Sequence, residues 1–115
     1  MKRLIARNTS TNTVVADRVG VAATRAERAV GLLSKSGLEP GEALWIVPSR
    51  GVHTWGMRFP IDVIFAKRDG RVVKICRHVG PWRLLFGWGA YATVELPNGA
   101  IDRSGVAVGD RLELA

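Results

Sequence analysis

Between Gly51 and Phe65 the chain places His53, Thr54, Trp55, Met57, Arg58 and Asp62 at the start of an apolar run, Ile61–Phe65. An imidazole, a hydroxyl, an indole, a thioether, a guanidinium and a carboxylate at the mouth of a core strand is the setting in which binding and catalytic pockets form. His53 with Asp62 offers acid–base chemistry, and Arg58 an anion or oxyanion stabiliser. Asp62 shares strand parity with Ile64 and Ala66, so its carboxylate is expected to be half-buried and has to be paired. Its partners are backbone amides or an arginine, with Arg25, Arg28 and Arg58 in view. Met57 and Trp55, two residues apart, share a strand face and are read as core or pocket wall. No nucleophile–base pair, phosphate loop or strong metal spacing completes the group.

Two further stretches carry reactive or sticky side chains. Cys76 and His78 fall at i and i+2 of a strand and share a face. One thiol and one imidazole, without Cys-x-x-Cys or His-x-x-x-His spacing, do not make a zinc site, and no metal or cofactor is expected. Trp82, Arg83, Leu84, Leu85, Phe86 and Trp88 lie between Gly80-Pro81 and Gly87/Gly89, which reads as an apolar loop. Such a loop folds back as a lid over an open barrel end, or it presents a contact patch to a partner chain, a membrane surface or a ligand.

The elements that must position these residues are mostly short strands. Leu4–Thr9 and Thr13–Val19 flank the polar turn Ser10-Thr11-Asn12, and Ala43–Val47 is stopped by Pro48. Ile61–Lys67 and Arg71–Arg77 surround Asp69-Gly70, a strong hairpin signal. Tyr91–Leu96 and Arg111–Leu114 follow, with a brief helical piece at Ala100–Ser104 between them. Thr24 and Glu27 form a capping box that opens a helix near residues 24–34. Ala26, Val30 and Leu33 are expected to face the core from it, Arg28 to leave its inner face for an ion pair on the surface or, as the alternative, for the strand mouth as a ligand contact, and Gly37 to cap its end. The fold class is α+β, mostly β: a compact sandwich or barrel of about seven short strands with one capped helix.

At 115 residues the chain is read as one domain, 1–115. Its 17 Lys+Arg outnumber 10 Asp+Glu, for a net charge of +7. Thirteen of the cations are arginines, scattered singly from Arg3 to Arg111, and scatter argues for a solvated surface over a nucleic-acid stripe. Cys76 is the only cysteine, so no intramolecular disulfide framework is available. The stretch Met1–Arg7 is too poor in apolar residues for a signal peptide, and no segment approaches a membrane span; the expected location is cytoplasmic and soluble.

Four ordered blocks carry a family resemblance. They are Ala23-Thr24-x-x-Glu27-Arg28-x-x-Gly31-Leu32, Met57–Phe65, Val94-Glu95-Leu96-Pro97-Asn98-Gly99, and Val108-Gly109-Asp110. In this order they resemble the DUF192 family, small bacterial and archaeal domains without an assigned activity, over about Val14–Leu114. The resemblance implies a mostly β fold with one helix. Many relatives carry Phe-Trp-Met-Lys-Asn-Thr before the proline; here Arg58 keeps the cation, while Phe59 replaces the Asn-Thr pair. Exported relatives leave the location open. The functional expectation is a binding or accessory module for a small molecule or protein partner, with its pocket at the start of the 61–67 strand. A hydrolase-like enzyme using His53 and Asp62 is one alternative, and a protein-interaction domain using residues 81–88 is another.

Overall fold

Apolar alternation and turn residues divide the chain into nine strands and two short helices, as seen in a computed structural model that describes residues 4–32 and 35–115. In order they are β1 (Leu4–Asn8), β2 (Thr13–Ala22), α1 (Arg25–Val30), β3 (Glu42–Ile46), β4 (Gly51–His53), β5 (Ile61–Ala66), β6 (Val72–Val79), β7 (Leu84–Phe86), β8 (Ala92–Pro97), α2 (Ala100–Ser104) and β9 (Leu112–Leu114). Seven strands form one sheet in the order β6-β5-β8-β3-β2-β1-β9, and β4 pairs with β7 in a second, two-stranded sheet. The expected class, mostly β with a little helix, is what the chain adopts.

The main sheet curls until its outer strands meet. Val72 N–H donates to the Asp110 carbonyl at 2.8 Å, Gly109 N–H to Val72 at 2.9 Å, and Leu112 N–H to Gly70 at 2.8 Å. Gly70 is required at this seam: its φ is +92°, and a Cβ there would stand 2.1 Å from the Leu112 carbonyl oxygen. All neighbouring pairs are antiparallel except β2 and β3. Parallel neighbours need a crossover, and α1 with its flanking loops supplies it.

Every residue of β5 and of β8 is buried. Ile64, Val94 and Leu96 face the first core inside the curled sheet, with Ala6, Trp45 and Ile101 of α2. Ile61, Val63 and Phe65 face a second core on the outer side, shared with Leu32, Met57 and Val79 and closed by Val52 and Leu85 of the small sheet. Full burial of each such side chain contributes about 1.5–3 kcal/mol.

Several expectations need correction. The helix covers Arg25–Val30, not residues 24–34, and ends at Gly31 (φ +50°) rather than Gly37. The capping box is present, but none of the helix's residues is buried, Val30 being half-exposed. One and a half turns are too short to build an apolar face, so Leu32, just beyond the cap, anchors the segment instead. Leu33 lies outside the described residues. Trp55 and Met57 do not share a strand, because β4 stops at His53; Met57 is buried while Trp55 is exposed. Residues 84–86 are a strand rather than loop.

Asp62 is 1% exposed, not half-buried, and an arginine is not its partner. One carboxylate oxygen accepts from His78 N–H at 3.0 Å, and the other from Ile101 N–H at 2.9 Å. The first bond holds a bulge in β6, where Ile61 pairs with Val79 but Val63 with Cys76, and where His78 takes φ +51°. The second fixes the start of α2. The bulge also separates the expected Cys76–His78 pair: Cys76 packs on the second core, while exposed His78 bonds Asn98 at 3.0 Å. An amide in place of this carboxylate keeps one acceptor and turns an NH2 group against the other donor. Asp62→Asn is therefore expected to lower unfolding stability by about 2 kcal/mol, read as a drop in the urea midpoint. An unchanged midpoint would remove Asp62 from its structural role.

Candidate functional site

The strand pairing decides which polar side chains reach a cavity. Glu95 lies opposite Val63 on one side and Leu44 on the other, so it projects to the outer face of the sheet with the second core. Asp62 pairs with Leu96 and projects to the inner face. Over Glu95 passes the crossover from β2 to β3. A Cβ built on Gly31 would stand 3.9 Å from Glu95 Oε1, so the turn that ends α1 forms the near wall.

The result is a pocket of about 230 Å³ lined by Arg28, Leu32, Ile46, Val52, His53, Met57 and Glu95, among others. Glu95 is 3% exposed. It has no hydrogen-bond or ion-pair partner among the described residues, and burial alone pushes its carboxyl up to about 7. A carboxyl so placed has both protonation states within reach near neutral pH. Arg28, half-buried, stands at the rim with its guanidinium bonded to the Ala23 carbonyl. Ser49, also in the lining, shares its hydroxyl with Thr93 at 2.8 Å and with the Gly51 carbonyl at 3.1 Å.

Of the residues singled out in the sequence, the structure brings Arg28, His53 and Met57 to this pocket. Thr54 is buried and ties two loops together instead, since its hydroxyl donates to the Gly80 carbonyl at 2.7 Å and accepts from Arg83 N–H at 2.9 Å. Trp55 lies outside, its ring centroid 5.2 Å from that of His53. Arg58 is exposed and does not line the pocket. His53 and Asp62 are not brought together, since the main sheet stands between them. Sequence reasoning missed Glu95 as a site residue. The available signal was a carboxylate between Val94 and Leu96, in a strand where no charge is expected.

A second, apolar groove of about 590 Å³ runs along the outer face of the β4–β7 sheet. Leu84, Phe86 and Trp88 line it together with Arg50 and His53. Strand alternation explains why residues 81–88 serve two purposes: Leu85 turns inward to the second core, and Leu84 and Phe86 turn out. Among the described residues no cluster of three or more His, Cys, Asp or Glu side chains is arranged to hold a metal ion.

The sequence profile of the DUF192 family, described as Uncharacterized ACR, matches residues 6–114. Among solved structures the chain is similar to a protein of unknown function from Novosphingobium aromaticivorans, with 28% identity and a TM-score of 0.81 over 96% of this chain and 82% of that one. It is also similar to a Sinorhizobium meliloti protein named as a candidate transcription regulator, with 23% identity and a TM-score of 0.83 over 96% of this chain and 91% of that one. At that identity the second likeness shows the fold alone. A comparison with curated proteins finds no match.

Glu95 makes stability depend on pH in a direction opposite to that of a paired carboxylate. Its folded value, about 7, lies above the ordinary 4.5, so the folded state holds a proton that the unfolded state releases. The contribution is complete below pH 4.5 and is lost as the pH rises to 7, a change on the order of 3 kcal/mol. Urea midpoints taken across that range should fall in the parent protein and stay flatter in Glu95→Gln. Parallel profiles would place the titration elsewhere.

Proposed function

The chain belongs to the DUF192 family, and from that premise we propose that it is a binding module for a small organic ligand held against Glu95. The observation that carries this reading is the carboxyl of a residue only 3% exposed, set on the lining of an otherwise largely apolar pocket, where burial raises it to about 7. An ionised carboxyl held among apolar side chains costs stability. A ligand that offers an amine, amide or hydroxyl donor to it recovers that cost, so the arrangement favours occupancy. Leu32, Ile46, Val52 and Met57 suit an apolar body, and Arg28 with His53 at the rim suits a second, polar end.

Binding is favoured over hydrolysis by the same contacts. Asp62 spends both oxygens on backbone amides, and the Ser49 hydroxyl is committed to Thr93 and Gly51. Neither is free to support a nucleophile or base beside His53.

Thermal-shift measurements with alkylamines, amino sugars, nucleosides and amino-acid amides supply the test, because a ligand of the folded state raises the midpoint by mass action. At least one compound is expected to raise it, with affinity at least about tenfold weaker in Glu95→Gln and weakened in Met57→Ala. For an amine, affinity should strengthen as the pH rises from 6 to 8 and the carboxyl ionises. A midpoint shift that survives both substitutions would move the ligand out of this pocket, and none from any donor class would remove the reading.

A further inference from the structure

We propose that the outer face of the β4–β7 sheet docks on an anionic lipid bilayer. The inference goes beyond the Glu95 pocket and does not depend on it. Leu84 and Phe86 are more than half exposed, Trp82 is 72% and Trp88 92% exposed, and Trp55 stands beside His53 on the neighbouring turn. So many exposed apolar side chains on and beside one small sheet form a contact surface rather than incidental exposure. Three of them are indoles, whose apolar body and single N–H donor suit the boundary between lipid chains and water.

The backbone positions two of these rings. Trp82 has φ +64°, a conformation that a bulky side chain adopts only when its surroundings impose it. Thr54 imposes it: its carbonyl accepts from Trp82 N–H at 3.3 Å, its hydroxyl from Arg83 N–H, and its own N–H donates to the Arg83 carbonyl at 2.9 Å. Phe86 lies across Gly51, where a Cβ would meet its ring at 2.8 Å, so the glycine makes room for the ring against the β4 backbone.

Charge selects the partner. The stretches 43–61 and 70–94, which contain β4, β6 and β7, hold no carboxylate. They carry Arg50, Arg58, Arg71, Lys74 and Arg83, besides Arg77, which is paired with Asp102 at 2.7 Å. Three of these touch or adjoin the patch. The Lys74 ammonium donates to the Phe86 carbonyl at 2.8 Å, the Arg50 carbonyl accepts from Gly87 N–H, and Arg83 sits between Trp82 and Leu84. A chain of net charge +7 whose exposed aromatics lie in carboxylate-free stretches beside Arg50, Lys74 and Arg83 matches acyl chains beneath a layer of negative headgroups.

Flotation with vesicles of phosphatidylcholine alone, and of phosphatidylcholine with about one-third phosphatidylglycerol, decides it. The protein should float with the mixed vesicles and not with the neutral ones, with its tryptophan emission shifted to the blue, and raised salt should release it. Phe86→Ser with Trp88→Ser should weaken partitioning at least about tenfold, while Val108→Ser, an exposed apolar residue outside this sheet, should leave it unchanged. Circular dichroism confirms that the double variant is folded. No flotation with mixed vesicles, or flotation undiminished in the folded double variant, overturns the proposal. So does self-association without lipid that the same double variant abolishes, which would mark a protein contact instead.

Discussion

Strands β5 and β8 lie between two apolar layers, and a strand in that position can turn neither row of its side chains to water. Each polar group on them must find a partner inside the protein or open onto a cavity. Asp62 finds two backbone amides, and in doing so sets the β6 bulge and the start of α2. Thr93 finds the Ser49 hydroxyl. Glu95 finds neither among the described residues, and the pocket lies where it projects. Two carboxylates on adjacent central strands thus have opposite fates, decided by which face each one meets.

The parallel pairing of β2 with β3 has a consequence of the same kind. It obliges the chain to cross the outer face of the sheet, and that crossing brings Arg28, Gly31 and Leu32 over Glu95. A hairpin between these strands would leave the same face without that cover. The small sheet closes the opposite flank with Val52 and Leu85, so its inner row belongs to the core and only its outer row is free for contact.

Much of this was legible in the chain. Asp69-Gly70 marked the β5–β6 hairpin, Thr24 and Glu27 the start of α1, and Ala100–Ser104 emerged as a helix with those bounds. Arg28, His53 and Met57 stood out by residue type and do line the pocket. Strands β4 and β7 were missed because three residues are too few for alternation to register, and glycines around them spoke for a loop. Asp62 drew attention for the right reason, a carboxylate in a core strand, yet the amides that hold it come from residues 78 and 101, which no local pattern connects to it. Glu95 was equally anomalous in sequence. Only the pairing of β8 between β3 and β5 shows which side of the sheet it faces.

The seam that closes the curled sheet also fixes an order of assembly. β9 pairs with β1 and bonds to the turn before β6, so the strand that joins the two ends of the sheet is made after β1 to β8. Until then a nascent chain exposes the outer edge of β1, where Ala6, Arg7 and Asn8 await Leu114, Glu113 and Leu112. That edge is the place where a chaperone, or a neighbouring chain on the same message, would meet the unfinished protein first.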